Sequence, residues 1–299
     1  MSLPPEPDPP PRIGERLWPQ GWLHADSPAL IANPLAQAAI LLLLLSLIFV
    51  IFPGIDVWFS GLFYDGAGFP MGKLGAFIAL RALGNDITRL VVVVLIVVLI
   101  LKLALPEQRS FIPPRDTLFV LGTLIVGPGI IVNLIFKNHW GRPRPTDVNI
   151  FGGDNPFVSA WHMSDACASN CSFVSGEASS AIWLITLVVL LPLAWRRPAL
   201  RILIGVAILL SLNRIAMGGH FLSDVLLAWV MTLVVIAVAY RFLYVTPPTA
   251  LTDASLEAGL TRTGEGIRSS MRVAVRAISS RLAARPPAEP PADPPPPAA

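Results

Sequence analysis

The amino-acid sequence predicts an all-α integral-membrane protein, a bundle of six transmembrane helices with both termini in the cytoplasm. Three observations lead there. Of the 299 residues 54% are apolar and 14% charged, a balance outside that of soluble domains, and mean hydropathy is +0.65. The apolar residues gather into long runs without the alternation of a strand, and a closed membrane barrel needs many more segments. The basic residues collect in every second connection between those runs, as the positive-inside bias of cytoplasmic loops requires.

Residues 1–33 read as a disordered and interfacial segment. Residues 1–12 (MSLPPEPDPPPR) are too polar and proline-rich to pack, and Trp18, Trp22 and His24 suit a membrane surface. Nothing before the first apolar run resembles a cleavable signal. The domain at 34–245 holds the six spans: Leu35–Phe52, Thr88–Leu105, Thr117–Phe136, Ala178–Ala194, Ile202–Leu212 with its flanks, and Phe221–Leu243. A helix needs roughly 20 residues, at about 1.5 Å each, to cross the hydrocarbon core. The fifth run is the shortest and spans only if its flanks join it. Trp and Phe residues in 57–70 are expected to form an interfacial cap.

Residues 246–299 form a cytoplasmic tail. Within it Ile267, Met271, Ala274, Ile278 and Leu282 recur at helical spacing, with Arg268, Arg272, Arg276, Arg281 and Arg285 around them. That is a basic amphipathic helix attracted to anionic inner-leaflet lipid, or a solvated arm. The Pro- and Ala-rich end, 286–299, is expected to be unstructured.

Arg12, Arg16, Lys102, Arg109, Arg115, Arg196, Arg197, Arg201 and Arg241 all fall on the cytoplasmic side of this topology. Lys137, Arg142, Arg144 and Arg214 fall on the other side, against the bias, and residues that break a local rule are candidates for function. They belong to three short segments at one membrane depth: Lys137–Pro145 (KNHWGRPRP), Ser172–Ala178 (SFVSGEA) and Asn213–Asp224 (NRIAMGGHFLSD). Lys137, Arg144 and Arg214 offer the charge and donors of a phosphate site. Ser175 and Gly176 open the fourth span, where helix N–H groups favour an anion and glycine allows close approach. His220 and Asp224, four apart, share a helix face, so the aspartate can orient the imidazole. An oriented neutral histidine beside a bound phosphate is a candidate nucleophile.

Lys137 with Arg144–Pro145 fits K-x6-R-P, Ser175–Gly176 fits the core of P-S-G-H, and Arg214, His220 and Asp224 fit R-x5-H-x3-D. Together they resemble the type 2 phosphatidic acid phosphatase (PAP2) superfamily over roughly residues 35–245. The resemblance implies a PAP2-like helical bundle and metal-independent chemistry without a cofactor. It implies that His220 forms a phosphohistidine oriented by Asp224, and that Lys137, Arg144, Ser175, Gly176 and Arg214 hold the phosphate. Val174 replaces the family proline and Asn213 the serine before Arg214. Glu177 stands where the family has the histidine that protonates the leaving group. Three readings of Glu177 stay open: an acid once substrate is bound, an acceptor for the substrate head group, or a favourable charge in a first helical turn.

Other residues carry weaker signals. Arg142 is either a second phosphate ligand or a rim charge. His139 and His162 are surface residues or substitute proton donors. Cys167 and Cys171 are expected to bridge outside the cytosol and stiffen the loop before Ser175, free thiols being the alternative. Asp147, Asp154, Asp165 and His162 lack metal-ligand spacing, and no nucleotide-binding or nucleic-acid motif is present. The expected function is hydrolysis of a lipid phosphate at the outer face of the inner (cytoplasmic) membrane, towards the periplasm or exterior. Candidate substrates are lipid A, phosphatidylglycerol phosphate, phosphatidate and undecaprenyl diphosphate. The alternatives are a phosphotransferase using the same phosphohistidine, and a non-catalytic lipid-binding or scrambling protein.

Overall fold

The computed structural model describes residues 33–283. The expected disordered ends, Trp18, Trp22, His24, Arg285 and the side chains of Arg281 and Leu282 lie outside the described residues. Apart from one bridge between Val148 and Asn155, the regular structure among the described residues is helical.

Helix α1 (Pro34–Ile51) starts where the Asn33 side chain accepts the Leu35 N–H at 3.0 Å and Pro34 takes a first-turn position that has no N–H to lose. Helix α2 (Gly54–Gly61) is short and buries Asp56 and Ser60. Helix α3 (Gly75–Ala104) has 30 residues, about 45 Å at the α-helical rise. The expected span Thr88–Leu105 is its C-terminal part, and its earlier turns carry Arg81 and Asp86 outside the apolar stretch. Helix α4 (Pro114–His139) is α-helical to Leu124 and π-helical from Ile125 to Phe136. Pro128 has no N–H and its ring collides with the carbonyl four residues back, which widens the turns there.

Helix α5 (Gly176–Leu190) is α-helical to Trp183 and then a 3-10 helix. Helices α6 (Leu193–Ala216), α7 (Leu222–Val245) and α8 (Asp253–Ala283) follow. Five helices, α1, α3, α4, α6 and α7, are long and apolar enough to cross a membrane. The sequence reading placed the weak span fifth, but the structure places it fourth. α6 gains a full helical turn and more from residues 193–201 and reaches 24 residues, whereas Pro192 separates Leu193 and Ala194 from α5. The tighter, longer-rise 3-10 turns give α5 a length of roughly 26 Å, close to a hydrocarbon core.

Among the five helices long enough to span, α7 is the most enclosed: 44% of its most apolar stretch is buried, against 11% for α1 and α3. α1, α4 and α5 pack on it. Ser179 and Thr232 share a hydrogen bond of 2.6 Å between α5 and α7, and the Trp183 indole donates to the Val120 carbonyl of α4 at 3.0 Å. These bonds fix the depth of α5, on whose first turn the candidate site depends.

The aromatic segment 57–70 divides: Trp58 and Leu62 are exposed, while Phe69 is buried against Phe151. The tail helix α8 begins before the apolar pattern that predicts it. Its first half is docked by ion pairs Arg115–Asp253 and Lys102–Glu257, each 2.7 Å, and Arg268–Glu107. Beyond these, Met271, Val275 and Ile278 are exposed.

Candidate active site

Backbone hydrogen bonds draw the three charged segments together. The first meets the second where Cys171 N–H donates to the Lys137 carbonyl at 3.2 Å and Ser172 N–H to the Arg142 carbonyl at 2.8 Å. Ser175 N–H donates to the Asp224 carbonyl at 3.0 Å, and Thr146 N–H to that of Gly218 at 3.2 Å, which joins both to the third. Cys167 and Cys171 are paired, with sulfurs 2.21 Å apart. The loop they close supplies the Asn170 carbonyl, which accepts from Arg144 Nη2 at 2.8 Å.

Ser175 is the N-cap of α5: its hydroxyl accepts the Ala178 N–H at 3.2 Å, satisfying one of the first-turn donors. Gly176 packs against α4 so closely that a Cβ there would lie 2.6 Å from Asn133 Oδ1. The Asn133 amide is itself held, donating to the Pro128 carbonyl at 2.6 Å.

His220 is buried in the short turn between α6 and α7. Its Nδ1 lies 2.9 Å from the Ser172 carbonyl oxygen and 3.9 Å from Asp224 Oδ2. A carbonyl only accepts, so Nδ1 carries the proton and Nε2 holds the free lone pair. Burial pulls the imidazole pKa down to about 4, against the pull of Asp224, so the ring is neutral near pH 7. Asp224 reaches His220 through intermediaries. Its Oδ2 accepts from Ser172 Oγ at 2.5 Å and from Phe221 N–H at 2.8 Å. The second bond caps the start of α7, where the Asp224 carboxylate satisfies the N–H of the N-cap residue.

Arg142 takes neither place that the sequence reading left open for it. Its guanidinium is buried and lies over the Phe221 ring at 4.4 Å. Nη1 donates to Asp224 Oδ1 at 2.5 Å and to Ser223 Oγ at 2.8 Å, Nη2 to Asp56 Oδ2 at 2.8 Å, and Nε to the Val158 carbonyl at 2.7 Å. Asp56 completes the group, accepting the Ser223 N–H at 2.8 Å. Burial pushes its carboxyl above the usual range, against the pull of Arg142. Arg142 is thus a buried tie between two carboxylates behind His220.

On the open side, Lys137 has Arg144, Glu177, Arg214 and Arg81 as electrostatic neighbours. Glu177 is bracketed by two guanidiniums: Arg81 donates to Oε1 from Nη2 at 2.8 Å and from Nε at 3.0 Å, and Arg214 Nε stands 2.9 Å from Oε2. His139 and His162 are drawn elsewhere, His139 to the Ile135 carbonyl and His162 to Ser159 Oγ, each at 2.9 Å. Among the described residues no three His, Cys, Asp or Glu are grouped as a metal site.

Sequence reasoning missed Asp56, Arg81, Asn133, Ser172 and Ser223. Asp56 had a usable signal, being the one acidic residue in the apolar stretch 49–64. Arg81 had none, because only packing of α3 on α5 brings it near.

This fold and cluster define a class: a multi-pass helical membrane enzyme with a buried neutral histidine beside a cluster of cations. The chain belongs to the PAP2 superfamily, whose profile matches residues 117–246. It is a phosphatase, a hydrolase acting on phosphoric ester bonds, and a multi-pass membrane protein of bacterial type. A lipid A 4′-phosphatase of Rhizobium leguminosarum is 40% identical over 205 residues, 64% of this chain and 88% of the relative. One of Rhizobium etli is 40% identical over 207 residues, covering 64% and 79%. One of Francisella tularensis subsp. novicida is 36% identical over 203 residues, covering 64% and 90%. No solved structure matches the chain significantly.

Proposed function

We propose that the chain removes the 4′-phosphate of lipid A by way of a phosphohistidine on His220. The observation that carries the reading is the orientation of that ring, with Nδ1–H committed to the Ser172 carbonyl and Nε2 left as nucleophile. The names of the relatives support the substrate.

In the first step the Nε2 lone pair attacks phosphorus, the P–O bond to the lipid breaks, and the lipid oxygen leaves with the bonding electron pair and takes a proton from water, which becomes hydroxide. In the second, water attacks the phosphohistidine, the P–N bond breaks, and orthophosphate and neutral His220 are restored. Lys137, Arg144, Arg214, the Ser175 hydroxyl and the first-turn N–H of α5 at Gly176 bind the phosphoryl oxygens and stabilise the charge that gathers on them. Asp224, tied by Arg142 and Ser172, positions the histidine. The site faces the periplasm and the protein lies in the inner membrane. The sidedness of the basic residues and the paired cysteines beside the site support that placement. The exposed apolar and basic end of α8 lies on anionic inner-leaflet lipid.

The test is phosphate release by the detergent-solubilised protein from lipid A, phosphatidylglycerol phosphate, phosphatidate and undecaprenyl diphosphate, with His220→Ala alongside. Release from lipid A above the others, lost in His220→Ala, is expected. Equal release by the two proteins overturns the catalytic assignment, and a preference for another lipid overturns the substrate.

A further inference from the structure

The cationic cluster already contains one anion, the Glu177 carboxylate, and its two guanidinium neighbours hold it unequally. Arg81 makes aligned hydrogen bonds to it, to Oε1 at 2.8 and 3.0 Å and to Oε2 at 3.2 Å. Arg214 Nε is 2.9 Å from Oε2 but misaligned, so that this N–H is buried without a hydrogen-bond partner. The exposures differ in the same sense: 43% for the Arg81 side chain, 21% for Glu177 and 5% for Arg214. An unpartnered donor on a buried guanidinium is costly unless a ligand completes it. Arg214 is therefore the group with capacity to spare, and Arg81 is the group that carries Glu177.

The charges point the same way. Arg81, Arg214 and Lys137 are electrostatic neighbours of Glu177, and Arg144 is one of Lys137 and Arg214. Without Arg81, a carboxylate would stand against Arg214 beside an incoming phosphate dianion, and like charges a few ångströms apart repel. With Arg81, the Arg81–Glu177 pair is neutral, and three cations remain for the phosphoryl group.

We propose that Arg81 is a positioning residue for phosphate binding, which holds the Glu177 carboxylate in its own aligned hydrogen bonds and neutralises it so that the substrate phosphoryl group takes the open Arg214 donor. This rests on the phosphate-site reading above. Arg81 acts through Glu177, and its contribution appears in anion affinity before it appears in turnover.

The experiment is a double-mutant cycle on competitive inhibition by orthophosphate, with KM and kcat for the best lipid substrate measured in the same preparations. Arg81→Ala is expected to raise the inhibition constant and KM by roughly three- to tenfold, the scale of a partly exposed charge pair, with a smaller change in kcat. Arg81→Lys, which keeps the charge, is expected to recover part of that loss. Glu177→Gln is expected to tighten orthophosphate, and in that background Arg81→Ala is expected to change the inhibition constant less than about twofold, as coupled groups require. An undiminished effect of Arg81→Ala in the Glu177→Gln protein overturns the proposal, because Arg81 would then meet the phosphate itself. So does a fall in kcat with the inhibition constant unchanged. If Arg81→Ala does not fold, Arg81→Lys and Arg81→Gln run through the same cycle. The underlying reading fails separately, when His220→Ala releases as much phosphate as the parent.

Discussion

Arg142 donates to Asp224 across 2.5 Å and to Asp56 across 2.8 Å, with all three side chains buried. A family motif and a residue far upstream are thereby tied behind the histidine. Removing one partner of a buried pair leaves uncompensated charge, at about 3–5 kcal/mol. Arg142→Ala is expected to lower the midpoint of thermal unfolding in detergent steeply and to abolish activity. Arg142→Lys keeps the charge but loses the planar fork that reaches both carboxylates, and is expected to fall between. A variant with full activity and an unchanged midpoint would remove the tie from the account.

The pH dependence of kcat/KM follows from the burial of His220. In the proposed mechanism a neutral imidazole is the reactive form, and its pKa is drawn down to about 4. The acid limb is expected near pH 4–5, below the ordinary histidine value of about 6.5. The same shift acts on stability. Between about pH 6.5 and 4 the unfolded chain binds a proton that the folded chain refuses, so this contribution weakens the fold as pH falls through that window. An acid limb at the ordinary histidine value would mean that the working site is wetter than this one.

Gly176 is held to its size by Asn133, 2.6 Å from where a Cβ would stand. Gly176→Ala is expected to cost about 1–3 kcal/mol, as overpacking does, because the asparagine is anchored to the Pro128 carbonyl. Gly176→Ala with Asn133→Ala should regain most of the thermal midpoint. No recovery would place the clash elsewhere.

The Cys167–Cys171 pair closes a short loop that carries the carbonyl partner of Arg144. A loop this short confers roughly 2 kcal/mol in the chain-entropy view. Replacing both cysteines by serine is expected to raise KM severalfold through a looser Arg144, with kcat changed less. Parent enzyme treated with reductant should match the variant. A KM unaffected by either treatment would free Arg144 from dependence on the loop.

Much of the candidate site was legible because its residues are chemically out of place. Lys137, Arg144, Arg214, His220 and Asp224 are charged or titratable groups beside apolar runs, and their spacing matched one motif set. The fold class was legible for a similar reason, since lipid-spanning helices demand long apolar runs. What could not be read was how partners far apart in sequence meet. Asp56 on α2 and Arg81 on α3 show no motif, and Ser172 reads as one serine among several. Arg142 could be named but not placed, because a guanidinium beside two aspartates looks the same in sequence as one awaiting phosphate. The lengths of α5 and α6 also escaped, since a 3-10 stretch and the break at Pro192 set the boundary that hydropathy blurs.

The sequence alone therefore determined the membrane bundle and the chemical types in the cluster, because each depends on local composition and spacing. Tertiary structure alone decided that Nδ1 of His220 rests on a backbone carbonyl, that Arg142 is turned inward, and that Glu177 is carried by Arg81. Hydrogen-bond partnership in a buried site depends on distances of a few tenths of an ångström between helices, and nothing in the order of the residues along the chain encodes that directly.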